Sequence, residues 1–357
     1  MNALLSKLKG VGNIKGQILS ESDFFNKRDS IPTRIPSLNL ALSGALVDAG
    51  VITGSIVIAG PSRHFKSNIG LVLVEAYLAK YPEAMCLFYD SEFGITDDYL
   101  KNQGVDPDRV IHLPVMNIEE LKFDMTQKLE AISKDDKVII FIDSIGNLAS
   151  KREADNALAN NAAADMTRAA QVKSFFRIIT PQLTAKDIPC ISINHTYKTM
   201  EMFAKDVISG GSGVMLSANT AIIVGRQQEK DGTELTGYNF VLNIEKSRFI
   251  REKSKIPLEV SFDGGINPYS GLLDWALESG DVTKPKNGWY ALVDRETGEV
   301  GKSVRKDATQ TEEFLGAVLK RPEFVKYVTD KYRLAIKEKL EDDDIFEQGS
   351  SDYEGDE

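Results

Sequence analysis

Cysteine is nearly missing: the 357 residues hold two, Cys86 and Cys190. That excludes a disulfide scaffold and any cysteine-ligated zinc module. Each lies in an apolar, strand-like run (85–89 and 189–193), so both read as buried thiols rather than a redox pair. Long apolar runs are missing too. No stretch reaches the roughly 18 residues of a membrane span, and no apolar signal core follows Lys7 and Lys9. The expectation is a reducing cytoplasm and no membrane partner. There are no internal repeats. The length suits about two domains and allows burial of about 75% of the unfolded surface.

The net charge is −10, but it is not evenly spread. Residues 341–357 hold nine acidic and no basic side chains, which leaves 43 basic against 44 acidic in the rest. Such a composition predicts a disordered acidic tail. It reads either as a solubilising extension or as a polyanion mimic competing for a basic surface. Segment 281–340, with 13 basic and 10 acidic residues, offers such a surface. A sequence pI near 5.1 therefore does not exclude nucleic acid.

Nearly continuous apolar runs at 55–59, 85–89, 110–113, 138–142 and 189–193 predict strands buried on both faces. Helical patterns lie between them: 66–80, 118–133 with Asn117 as N-cap and Glu120 three residues on, and about 165–186. This alternation predicts an α/β fold with a mainly parallel, doubly wound sheet. Runs 220–225, 239–244 and 258–262 read as an antiparallel extension of it. The expected organisation is an N-terminal segment 1–30, an α/β core 31–274, a small α+β domain 275–340 and the tail 341–357.

After the strand 55–59 comes Gly60-Pro61-Ser62-Arg63-His64-Phe65-Lys66-Ser67-Asn68, then a helix. A strand, a tight loop ending in Lys-Ser and a helix is the context of a phosphate-binding loop. Its N–H groups and the helix N-terminus cradle phosphate, Lys66 reaches the β- and γ-phosphates, and Ser67 ligates Mg²⁺. The pattern calls for Gly at 65, where this chain has Phe65; the bland alternative is a strand–turn–helix with a surface lysine. Two carboxylates weigh against that alternative. Asp143 ends the strand 138–142, the position that holds Mg²⁺ in such ATPases. Glu92 follows the strand 85–89 and points to the same crevice, as a general base for water.

With these residues in view, the chain resembles the RecA-type strand-exchange recombinases, most nearly a phage branch of them. The resemblance rests on the phosphate loop, Asp90-Ser91-Glu92, Phe141-Ile-Asp-Ser144, Asn194-His195-Thr-Tyr197, Glu245-Lys-Ser-Arg248 and Lys284-Pro-Lys-Asn-Gly-Trp-Tyr290, and spans about 20–335. In that branch a Phe at 65 is tolerated. The resemblance implies that Glu92 activates water, that Tyr99 stacks on adenine, and that His195 stands where most relatives have a Gln sensing the γ-phosphate. It implies that Lys151 and Arg152 belong to a first DNA-binding loop over 151–165. A second loop over 196–216 would carry Lys198, Met202, Phe203, Lys205, Gly210 and Gly211. Arg177 matches a backbone-contacting arginine, whereas Tyr197 stands where bacterial relatives have another arginine. Lys246 and Arg248, two apart on one strand and so facing one way, would reach a neighbouring subunit's γ-phosphate. Phe24 and Phe25 resemble the segment that packs on a neighbour; taken without the resemblance, packing onto their own core is an equal reading. Taken without the resemblance, His195 reads as a strand-end histidine bonded to backbone, the two loops as mobile surface, and the Lys246–Arg248 pair as an exposed charged face.

The expectation is an ATP- and Mg²⁺-dependent DNA recombinase that forms helical filaments on single-stranded DNA and pairs it with double-stranded DNA. A recombination mediator and a single-stranded-DNA-binding protein are its expected partners. A hexameric helicase shares the phosphate loop and both carboxylates; the Gly-Gly loop and the Lys-Ser-Arg pair favour the recombinase. A nucleotide-gated binding protein without turnover has no use for Glu92. A zinc-bearing repair ATPase lacks its cysteines.

Overall fold

The computed structural model describes residues 3–9, 11–12, 18–21, 31–159, 167–200, 204–231 and 234–334. Phe24, Phe25, Met202, Phe203 and the acidic tail lie outside the described residues. In chain order the first half carries α1 (Ala3–Lys9), α2 (Pro36–Ser43), β1 (Gly54–Ala59), α3 (Lys66–Lys80), β2 (Met85–Asp90), α4 (Asp97–Asn102), β3 (Val110–Pro114), α5 (Ile118–Ala131) and β4 (Val138–Asp143). There follow α6 (Lys151–Leu158), α7 (Thr167–Ala185), β5 (Pro189–Asn194), the hairpin β6 (Thr196–Lys198) and β7 (Asp206–Ile208), and α8 (Ser212–Ser217). The sheet is completed by β8 (Thr220–Asp231), β9 (Glu234–Ser247), β10 (Lys255–Ser261) and β11 (Gly265–Ile266).

The nine-stranded sheet has the order β11-β10-β9-β8-β1-β5-β4-β2-β3. Its parallel part is doubly wound, as expected. One expectation is corrected: β8 pairs parallel with β1 (Ile56 opposite Thr220), and the sheet turns antiparallel only at β9. A second correction concerns β3. It is the edge strand and exposes Ile111 and His112 instead of being covered on both faces; among the described residues no strand pairs beyond it. β8 and β9 also run well past the apolar runs that announce them.

Side chains alternate across the sheet, so β1 sends Ile56 and Ile58 to one core and Val57 and Ala59 to the other. The first core contains α2, α3 and the C-terminal unit; the second contains α5 and α7. Gly70 lets α3 lie close on β4: a Cβ there would stand 2.5 Å from the Phe141 ring. Side chains cap the N-termini of α4, α5 and α6. Asn117 accepts from Glu120 N (2.9 Å), while Glu120 closes on Met116 N (3.0 Å) rather than on the cap itself. Arg109 donates to the carbonyl of Leu78 in the last turn of α3 and to that of Ala84 beyond the helix.

Residues 272–334 form α9 (Leu272–Ser279), a three-stranded sheet of β12 (Val282–Lys286), β13 (Trp289–Leu292) and β14 (Val304–Arg305), then α10 (Ala317–Leu319) and α11 (Pro322–Tyr332). Phe314, Leu315, Phe324 and Val328 bury themselves in the first core, which joins this unit to the sheet. Its internal anchor is Asp281, fully buried. Arg295 binds it through Nε (2.7 Å) and Nη2 (2.6 Å), and Arg321 through Nη1 (2.9 Å). Burial pushes this carboxyl up, but the hydrogen bonds from Arg295, Ser279 and Arg321 outweigh it and hold it below its ordinary value.

Candidate nucleotide and DNA site

The loop from β1 to α3 has two non-glycine residues in the left-handed region, Arg63 (φ 60°) and Phe65 (φ 61°). That geometry costs an L-residue about 1–2 kcal/mol, which is why such loops carry Gly at this point. Phe65 offsets the cost: its ring stacks on Phe240 of β9 at 5.4 Å, worth about 0.5–1.5 kcal/mol. The series continues outward from Phe240 to Tyr238 and Phe262. Arg226 lies 4.8 Å over Tyr238 and donates to the Arg63 carbonyl (3.0 Å), bracing the loop from β8. Gly60, Pro61, Ser62 and His64 complete the turn; His64 Nδ1 lies 2.9 Å from the Ser62 carbonyl.

Lys66 opens α3 and is 7% exposed; its Nζ donates to the Pro61 carbonyl (2.9 Å). Burial lowers its pKa, while Glu92 and Asp143 oppose that. Asp143 sits at the tip of β4. Burial pushes its carboxyl up to about 6, the Ser67 hydroxyl bond opposes this, and the charges of Glu92 and Asp90 add to it. Among the described residues its Oδ1 is buried with no hydrogen-bond partner. A buried, unsatisfied carboxylate oxygen beside a hydroxyl is a fit for a hard divalent cation. No group of three His, Cys, Asp or Glu side chains among the described residues could hold a metal. A cation at Asp143 and Ser67 would therefore take its other oxygens from phosphate and water, as Mg²⁺ does.

Glu92 is aimed by a turn. Asp90 Oδ1 accepts from the N–H groups of Glu92 (3.0 Å) and Phe93 (2.7 Å), while its Oδ2 lies 3.0 Å from His112 Nε2. Three donors meet at Glu92 Oε1: Ser144 Oγ (2.8 Å), Asn147 Nδ2 (2.9 Å) and His195 Nε2 (3.3 Å). The His195 bond chiefly holds its carboxyl below the ordinary value; burial opposes, and Ser144 and Lys66 assist. Ser91 Oγ donates to the Ser144 carbonyl (2.8 Å) and accepts from Ser144 N (2.9 Å), tying the tips of β2 and β4. Gly146 leaves room for the histidine: a Cβ there would stand 2.4 Å from His195 Cδ2. Tyr99, on α4, donates from its hydroxyl to Asn68 Oδ1 (2.8 Å), which ties α4 to the first turn of α3.

Lys66, Ser67, Asp143, Glu92 and His195 thus come together from four neighbouring parallel strands, with Tyr99 beside them. Asn147, Ser144, Ser91 and Arg226 complete the arrangement. Ser91 and Ser144 flank Glu92 and Asp143 in sequence; nothing in the sequence marks Asn147 or Arg226.

The expected DNA residues lie on separate elements. Lys151 and Arg152 are exposed, but they open a helix, not a loop: Ser150 caps α6 by accepting from Glu153 N (3.0 Å). Arg177 is exposed on α7. Lys198 and Lys205 are exposed on and beside the β6–β7 hairpin, and Lys198 pairs with Asp206 at 3.5 Å. Gly210 (φ 95°) packs on Val172 of α7, where a Cβ would stand 3.1 Å away, and Gly211 (φ 77°) leads into α8.

The Lys246–Arg248 pair is corrected in detail. β9 ends at Ser247, so Arg248 lies past the strand and strand alternation does not extend to it. Lys246 Nζ donates to the carbonyls of Met215 (2.7 Å) and Leu216 (2.8 Å) in α8. Burial and the nearby Arg248 charge lower its pKa.

Residues 13–267 match the family profile of the RecA N-terminal domain. Residues 269–328 match that of the C-terminal domain of the bacteriophage T4 recombination and repair protein. The chain is 54% identical over 321 residues to the recombination and repair protein of Enterobacteria phage T4, covering 88% of this chain and 82% of that one. It is 23% identical over 276 residues to Protein RecA of Cutibacterium acnes, covering 76% and 77%. To Protein RecA of Streptomyces coelicolor it is 24% identical over 297 residues, covering 82% and 76%.

Proposed function

The chain belongs to the RecA family of recombination proteins, and on that premise we propose that it hydrolyses ATP at the Lys66–Glu92 cluster to drive cycles of filament assembly and release on DNA. It is a strand-exchange recombinase of that family. The observation that carries the ATPase reading is the meeting of Lys66, Asp143, Glu92 and His195 at one edge of the parallel sheet, where such folds bind ligands.

The N–H groups of the loop and the start of α3 receive the phosphates. Lys66 exchanges the Pro61 carbonyl for β- and γ-phosphate oxygens, and its burial strengthens that attraction. Asp143 and Ser67 hold Mg²⁺, which neutralises phosphate charge. Glu92, ionised and oriented by three donors, takes the proton of the attacking water. His195 has one Nε2 proton and two acceptors to choose between, Glu92 and the γ-phosphate, so it reports which is present to the β6–β7 hairpin that follows it. Tyr99 stacks on adenine. Lys246 and Arg248 of an adjacent subunit stabilise the developing charge, as an arginine finger does.

Lys151, Arg152, Arg177, Lys198, Lys205 and the Gly210–Gly211 backbone, with Met202 and Phe203, bind the phosphodiester backbone and separate bases. The stretched single strand is then paired with double-stranded DNA by base complementarity. Segment 1–30, with Phe24 and Phe25, joins subunits; 31–274 is the ATPase core; 275–340 is the accessory domain, whose basic surface the acidic tail competes for. The setting is the cytoplasm of a host cell, with a mediator and a single-stranded-DNA-binding protein as partners. Electron microscopy with long single-stranded DNA, Mg²⁺ and a slowly hydrolysed ATP analogue tests this. Helical filaments lost on omitting nucleotide are expected; closed six-membered rings would replace the reading with a helicase.

A further inference from the structure

Segment 144–148 leaves the tip of β4 and carries two of the three donors to Glu92. Three of its carbonyls converge on one side chain from another element. Arg168, in the first turn of α7, donates from Nε to Leu148 O (2.7 Å), and from Nη2 to Ile145 O (3.1 Å) and Gly146 O (2.9 Å). These carbonyls belong to no helix or strand; that of Ile145 also accepts from Leu148 N (3.3 Å), closing a turn, while those of Gly146 and Leu148 take Arg168 as their partner. The segment also contains Gly146, which has the loosest backbone of any residue and lies against His195. Without the guanidinium, the backbone is least constrained at the point nearest Glu92.

Arg168 is itself well anchored. Its neighbour Thr167 donates from Oγ1 to Ser150 Oγ (3.3 Å), the same oxygen that caps α6. The starts of α6 and α7 therefore meet beside the 144–148 segment. The helix that holds this backbone also carries Arg177.

We propose that Arg168 is a positioning residue for ATP hydrolysis: its grip on the carbonyls of Ile145, Gly146 and Leu148 keeps the Ser144 hydroxyl and the Asn147 amide on Glu92 Oε1. This rests on the reading of Glu92 as the group that activates water. A planar guanidinium suits three carbonyls; an ammonium is a single point of donation and holds fewer of them at good geometry.

The test compares the full chain with Arg168→Ala, Arg168→Lys, Asn147→Ala and the Arg168→Ala/Asn147→Ala double variant. The readouts are kcat and KM for ATP with saturating single-stranded DNA, the Kd of a fluorescent ATP analogue, and the melting temperature. Arg168→Ala is expected to lower kcat about tenfold or more while KM and the analogue Kd change less than about twofold. Arg168→Lys recovers part of the loss. Because both residues act through one contact, the double variant should be no more than about twofold slower than Arg168→Ala. Multiplying effects, or a rise in Kd that parallels the fall in kcat, overturns the proposal. If the alanine variant does not fold, Arg168→Lys takes its place in the same cycle. Glu92→Gln separates the two layers. Retained turnover in it overturns both the base reading and this proposal; lost turnover with a multiplicative cycle overturns this proposal alone.

Discussion

His195 Nε2 lies 3.3 Å from Glu92 Oε1, so the residue after β5 and the residue beyond β2 form one hydrogen-bonded pair that passes over the tip of β4. The histidine is the main reason that the glutamate's carboxyl is held low. His195→Ala should therefore move the acid limb of the hydrolysis profile to higher pH, with a smaller loss near neutrality, where Glu92 stays ionised either way. The sign also fixes stability: the contribution of ionised Glu92 is complete above its ordinary value of 4.5 and disappears as pH falls through its lower folded value. An acid limb that does not move in His195→Ala would break the link.

Asp143 has the opposite sign. Its folded pKa is raised from 3.8 to about 6, chiefly by burial, so ionising it opposes folding. The cost at neutral pH without metal is up to about 3 kcal/mol. Asp143→Asn should melt at a higher temperature than the parent at pH 7 in chelator, and the gain should shrink as pH falls toward 4. Mg²⁺ with nucleotide should stabilise the parent and not the variant. Calorimetry across pH decides it; a gain independent of pH would mean that Asp143 is not the strained charge.

At position 65 the usual order of glycine and alanine should invert. Phe65→Ala loses the Phe240 stack and keeps the left-handed backbone; Phe65→Gly loses the stack but relieves the backbone. The alanine variant should be less stable by about 1 kcal/mol. Thermal unfolding of the two checks this, and a more stable alanine variant would contradict it.

Lys246→Ala mixed with Lys66→Ala should regain turnover that neither variant has alone, because a site formed between the two takes Lys66 from one subunit and Lys246 from its neighbour. Turnover measured against mixing ratio should peak between the two pure variants. No recovery at any ratio would return Lys246 to its visible contacts, the carbonyls of Met215 and Leu216.

The phosphate loop, Asp143, Glu92 and the parallel half of the sheet were legible in the sequence because each couples a short motif to a buried strand, and strand ends point to one crevice. Other features depend on what is distant in the chain. Whether β8 joins β1 in parallel depends on the crossover through α7, β5 and α8, not on its own residues. Asn147 and Arg168 look like ordinary loop and helix polar residues until segment 144–148 is seen to lie between Glu92 and α7. Alternation of Lys246 and Arg248 requires both to lie on one strand, and β9 ends between them at Ser247.

The Asp281 triad has a practical meaning for work on DNA. Phosphate contacts release counterions, so affinity for DNA falls steeply as ionic strength rises. The bonds from Arg295 and Arg321 to Asp281 are buried at the carboxylate, where mobile ions screen little. Salt should therefore strip the protein from DNA well before it loosens the C-terminal unit. Over that range, a salt titration measures dissociation of an intact molecule rather than its unfolding.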